Sequence, residues 1–122
     1  GGGFGLPGDS SSPSRFVRMA VMKHYAIKGK DEVDGISRMF NQFSAVNIPE
    51  GIVMRQEDGD GEEEASYDQT LCISAMCAES GTYYFSTCKS RRISAVRLGG
   101  LLGNTDMVYY DLPQKEDIAY LN

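Results

Sequence analysis

The spacing of apolar positions changes along this chain, and each change marks an element. From Ser14 onward Phe16, Met19, Ala20, Met22 and Ala26 recur at helical spacing until Lys28-Gly29-Lys30 loosens the pattern, which predicts a helix over 12–26. Asp31 opens a second segment in which Val33, Ile36, Phe40 and Phe43 form one apolar stripe, ended by Pro49 and Gly51. An aromatic stripe of this kind reads as core, laid on a sheet. From Thr70 the period falls to two: Thr70, Cys72, Ser74 and Met76 alternate with Leu71, Ile73, Ala75 and Cys77, a strand with both faces apolar enough to be covered.

Ala78-Glu79-Ser80-Gly81 has turn chemistry, and the aromatic and hydroxyl residues of 82–88 complete a β-hairpin. A second turn at Lys89-Ser90-Arg91 leads to a third strand around Ile93 and Ala95, nearer an edge, which Gly99-Gly100 breaks. Residues 107–112 are expected to add a short fourth strand, and 113–121 a brief helical turn. Helices followed by an antiparallel meander predict the α+β class rather than a βαβ sheet.

Between the helical and strand-like halves, residues 56–64 read QEDGDGEEE, with no apolar residue. Asp58, Asp60 and Glu62 have the alternate spacing of a calcium loop, but the sixth position is Glu63 rather than Gly and the twelfth is Gln69. A solvated hairpin tip is the better reading. The whole chain of 122 residues has 41% hydrophobic and 24% charged residues, the balance of a folded domain. Its net charge of −5 argues against a general nucleic-acid binder, which needs a basic face for phosphates. No apolar run approaches the roughly 20 residues of a membrane span. Cys72, Cys77 and Cys88 form no CxxC pair, so they read as buried thiols, with neither a disulfide framework nor a zinc site, and no cofactor or metal is expected.

The first residues hold a formal G-x-G-x-x-G at Gly3, Gly5 and Gly8, but no strand precedes it, Pro7 removes a donor and Asp9 puts a negative charge where a phosphate would lie. A turn is the simpler reading. Pro7-Gly8 should supply it, Asp9 and the serines offer oxygens to unpaired helical N–H groups, and Pro13 suits the first helical position after Ser12. Arg15 and Arg18 then fall in the first two turns, where the helix dipole disfavours a cation, so each needs another partner or solvation. His24, the sole histidine, lies near the far end, where a cation suits the dipole, and is assigned no chemistry.

The run LPGDSSSPSRFVR at 6–18, the helix to Tyr25 and NQFSAVNIPEGIV at 41–53 together resemble the choloylglycine hydrolase family, which comprises bile salt hydrolases and penicillin V acylases. The stretch from Tyr67 through GTYYFST at 81–87 to Ile93-Ser94-Ala95-Val96 is similar to that family's C-terminal hairpin and following strand, and DLPQKEDIAYLN at 111–122 is compatible. The resemblance implies part of an N-terminal-nucleophile hydrolase, a four-layer αββα sandwich that cleaves a linear amide with an N-terminal cysteine serving as nucleophile and, through its amine, as base. Arg15 matches the family's late catalytic arginine, while Arg18 is assigned to structure or to a surface.

The nucleophile, the early arginine and aspartate and the asparagine-bearing oxyanion elements of the family all lie upstream of this motif and cannot be mapped. The chain opens on Gly1 without a leader pattern and is read as a fragment or processed product. The expectation is a single partial domain over 1–122, inactive alone. Its partners would be the missing N-terminal part and a small amide substrate, a conjugated bile salt or a penicillin, in a parent that resembles homotetrameric relatives. The alternative is a non-catalytic interaction module or family remnant. Compartment is open, since the family occurs both inside cells and beyond an inner membrane.

Overall fold

Ser11 is where the chain turns helical: its backbone is extended (φ −64°, ψ 153°) and its hydroxyl accepts the Ser14 N–H, so that α1 runs Ser12–His24 with Pro13 in its first turn. The cap is thus one residue earlier than expected. In this computed structural model residues 3–55 and 66–122 are described, and they divide into two compact units, Gly1–Thr70 and Leu71–Asn122. The tight turn expected at Pro7-Gly8 lies instead at 3–6, where Gly3 and Gly5 have φ of 69° and 82° and the Leu6 N–H reaches the Gly3 carbonyl at 3.1 Å.

Within the first unit α2 spans Glu32–Ser44 and packs against α1. Asp31 caps it, accepting the Asp34 N–H at 2.8 Å, and Glu32 and Asp34 complement the dipole in the first turn. Asp34 also accepts the Lys30 N–H and the Arg38 Nε–H, both at 2.9 Å, and these bonds, Lys30 first, lower its pKa. Ile36 and Phe40, one turn apart, are the buried hydrophobic residues among those described, at 8% and 7% exposure. Phe43 is half-buried beside them, whereas Val33 is 74% exposed and leaves the expected stripe. On α1, Met19 and Met22 are half-buried but Phe16 and Ala20 face outward.

Downstream of α2, β1 (Val53–Met54) pairs antiparallel with β2 (Tyr67–Asp68), and Arg55 forms an exposed ion pair with Asp68 at 2.8 Å. These strands are too short for a periodicity to register. The acidic run and its calcium-loop alternative lie outside the described residues.

In the second unit β3 (Cys72–Cys77), β4 (Thr82–Thr87) and β5 (Ser90–Arg97) form an antiparallel meander in that order, with a register irregularity between Phe85 and Thr87. Gly81, at φ 61°, makes the first turn, and its carbonyl accepts the Leu98 N–H at 2.8 Å. Thr87 Oγ1 holds the second turn by accepting the Lys89 and Ser90 N–H groups at 3.3 and 3.1 Å. The buried residues here are hydroxyl-bearing: Thr82, Ser86 and Ser90.

Several expectations for this half are corrected. Cys72, Ser74 and Met76 share an exposed face of β3, so only the Ile73, Ala75 and Cys77 side is partly covered. The thiols are accordingly not buried: Cys72 and Cys88 are exposed and Cys77 is half-buried. A 3-10 turn, Leu98–Leu101, follows β5. Residues 107–112 form no strand, because a strand needs a ladder partner and none of the described residues supplies one. Residues 113–121 form no helical turn either. Glu116 and Asp117, the acids that would favour one, bind Arg91 and Arg92 of β5 instead, and Thr87 Oγ1 donates to the Pro113 carbonyl at 3.3 Å.

Candidate functional site

The start of α1 gathers the polar groups that the sequence singles out. Asp9 accepts the Ser11 N–H at 2.8 Å and the hydroxyl of the buried Ser14 at 2.6 Å, and Ser11 Oγ donates to Ser14 Oγ at 3.1 Å. The hydroxyls of Ser11 and Ser14, then the Ser11 N–H, stabilise the charged form and hold the Asp9 carboxyl at about 2 rather than 3.8.

Arg15 follows on the next turn and is half-buried. Its Nη2 donates to Ser12 Oγ at 3.2 Å, while its Nε is shielded from solvent and has no hydrogen-bond partner among the described residues. A buried donor left unmatched is costly, so this guanidinium is poised to donate to an acceptor or an anion. Asp9, the nearest acid in sequence, is engaged by the serines and forms no ion pair with it.

Arg18, also half-buried, donates to main-chain oxygens through Nε and Nη1. Its Nη1 donates to the Pro7 and Asp9 carbonyls at 2.7 and 2.8 Å, and its Nε to the Ala45 carbonyl at 3.1 Å. The two cations that are misplaced for the α1 dipole therefore part company: Arg18 has found carbonyls, and Arg15 keeps an open donor. The sequence left Arg18 between structure and surface, because main-chain acceptors carry no residue signature.

The other candidates contribute less. His24 is exposed and touches Tyr25 edge-on, with ring centroids 4.8 Å apart. The cysteines lie on strands and turns of the second unit. That unit also holds a cavity of about 550 Å³ lined by Phe85, Val96, Tyr110 and Pro113, with Arg97 and Asp111 as its charged residues. No group of three His, Cys, Asp or Glu side chains that could hold a metal occurs among the described residues. No described helix is long and apolar enough to cross a membrane.

A helix pair followed by an antiparallel meander, with a guanidinium held open at the first helix start, places this chain in the α+β class. Residues 1–110 match the linear amide C-N hydrolases, choloylglycine hydrolase family. A bile salt hydrolase/transferase of Lactiplantibacillus plantarum is 34% identical over 122 residues, 99% of this chain and 36% of that protein. One from Bifidobacterium longum is 36% identical over 83 residues, 68% of this chain and 24% of that protein. Crystal structures of two variants of the conjugated bile acid hydrolase from Clostridium perfringens superpose with TM-scores of 0.73 and 0.78 at 31% and 30% identity, covering 98% and 100% of this chain and 34% and 36% of theirs. The chain belongs to the choloylglycine hydrolase family, and it spans about a third of the length of the relatives matched over nearly all of it, 36% in the L. plantarum case.

Proposed function

We propose that this chain is the C-terminal part of an amidohydrolase that cleaves the amide of conjugated bile salts, and that Arg15 is its contribution to the active site. The observation that carries the reading is the Arg15 guanidinium, half-buried, with an Nε that finds no acceptor among the described residues. Its position in LPGDSSSPSRFVR matches the family's catalytic arginine, and relatives named as bile salt hydrolases/transferases support the substrate class.

In this reading the nucleophile is an N-terminal cysteine outside this chain. A cation beside such a sulfur favours the thiolate and stabilises charge as the amide carbonyl is attacked. The thiolate adds to the carbonyl carbon, the C–N bond breaks with a proton passing to the departing amine, and water then releases the acid from the acyl-enzyme. Arg15 takes no proton, since a guanidinium stays charged throughout.

Residues 1–122 form part of one larger domain in this proposal. The scarcity of buried apolar side chains among the described residues supports it: Phe4, Phe16, Tyr109, Tyr120 and Leu121 are all at least 74% exposed. The test is hydrolysis of glycine- and taurine-conjugated bile acids, with penicillin V as comparison, by the protein of the full reading frame. Release of glycine or taurine that falls at least about 100-fold in Arg15→Ala supports the reading, on the scale of losing one transition-state donor. Undiminished hydrolysis in that variant would remove Arg15 from the site.

A further inference from the structure

We infer that Arg18 is the positioning residue that sets the Arg15 guanidinium, an inference that rests on the catalytic reading of Arg15 above. Arg18 joins segments far apart in sequence, bonding to carbonyls 11, 9 and 27 residues away. One of these segments is the irregular approach to α1, and the other is the end of α2. Ala45 is the C-cap residue of α2, whose last turn contains no basic side chain. A helix leaves its final carbonyls unpaired at the negative end of its dipole, and Arg18 supplies the missing cation from the neighbouring helix. The charge that is misplaced at the start of α1 is well placed for the end of α2.

From the approach segment the geometry passes to Arg15 in short steps. Arg18 fixes the carbonyls of Pro7 and Asp9. The Asp9 carboxylate, so placed, holds the Ser11 N–H and the Ser14 hydroxyl, which define the first turn of α1. Ser12, in that turn, accepts from Arg15 Nη2 at 3.2 Å. Loss of the Arg18 bonds frees the approach segment, and with it the turn on which Arg15 is aimed. Arginine is required because its rigid fork presents Nε and Nη1 in different directions, whereas a lysine ammonium is one point at the end of a flexible stem.

The experiment is a double-mutant cycle in the protein of the full reading frame, reading steady-state hydrolysis of glycine-conjugated cholate. Arg18→Ala is expected to lower kcat about 10-fold or more, as misplacement of a catalytic group does. Its KM should stay within about 2-fold, because no substrate contact is removed. Arg18→Lys is expected to fall with it. In an Arg15→Lys background, Arg18→Ala should cost less than about 2-fold further, because the group it positions is already altered.

Equal losses in both backgrounds would show that Arg18 acts independently of Arg15 and would overturn the inference, as would an unchanged kcat in Arg18→Ala. Should Arg18→Ala prove insoluble, Arg18→Lys runs the same cycle with the same outcomes. If Arg15→Ala keeps full activity, the catalytic reading fails and the Arg18 inference falls with it. If Arg15→Ala is inactive and only the coupling is missing, the Arg18 inference alone is wrong.

Discussion

The buried Ser14 hydroxyl donates to the Asp9 carboxylate at 2.6 Å, joining the irregular approach to the first turn of α1. Because Asp9 ionises at about 2 in the folded chain against 3.8 ordinarily, its charged form is the one the fold prefers. The stability it contributes is fully present above 3.8 and is lost as the pH falls toward about 2. Asp9→Asn is therefore expected to melt lower than the parent at neutral pH, with the gap narrowing over that acidic window. A gap that does not change with pH would show that the Asp9 charge is not what the serines stabilise.

Gly29 and Gly35 should respond to alanine with opposite signs. A Cβ on Gly29 would lie 2.4 Å from the Gly35 nitrogen and 2.5 Å from its Cα, both backbone atoms in the first turns of α2, so the helix start must shift. Gly29→Ala is expected to destabilise by about 1–3 kcal/mol. A Cβ on Gly35 meets nothing within 4 Å, and Gly35→Ala should stabilise by about 0.5–1 kcal/mol through helix propensity. Chemical denaturation of both variants checks the pair.

Phe40 anchors the first unit at 7% exposure, with Ile36 one turn away. Truncation to alanine leaves a cavity that the half-buried neighbours fill only in part, at an expected cost of about 3–5 kcal/mol. A urea midpoint that barely moves in Phe40→Ala would place the packing of this unit elsewhere.

The segment after the meander is tethered by Arg91–Glu116 and Arg92–Asp117, and Glu116 also accepts the Arg91 main-chain N–H at 2.8 Å. Arg91 and Arg92 are 88% and 71% exposed, so both pairs are screened by water and salt. The double variant Glu116→Gln/Asp117→Asn is expected to change stability by under about 1 kcal/mol. It should nevertheless speed proteolytic cleavage within 102–122, and high salt should do the same to the parent. Equal cleavage rates would mean that the tether does not hold the segment.

Both helices and the meander could be read from periodicity, because each buries or half-buries a repeating set of side chains: Ile36 and Phe40 in α2, Ile73, Ala75 and Cys77 in β3. Alternation of apolar residues alone misled at Cys72 and Met76, whose apolar character does not report that their face is uncovered in this chain. Residues 107–112 have strand-like composition, but pairing is a non-local property that composition does not encode. At the site, the conflict between Arg15, Arg18 and the α1 dipole was visible in the sequence. Its resolution was not, since the acceptors that satisfy Arg18 are the carbonyls of Pro7, Asp9 and Ala45, which every residue type possesses.

That last property bears on how this region can change over time. A clamp built on main-chain oxygens is indifferent to the side chains it holds, so positions 7 and 45 are free to drift in identity while the Arg18 geometry persists. What it does not tolerate is a change of length, because one inserted or deleted residue between 7 and 18, or at the end of α2, moves a carbonyl out of the reach of the fork. Positions 7 and 45 are thus open to substitution and closed to insertion, and variation at those two clamped carbonyls will be found in their letters rather than their spacing.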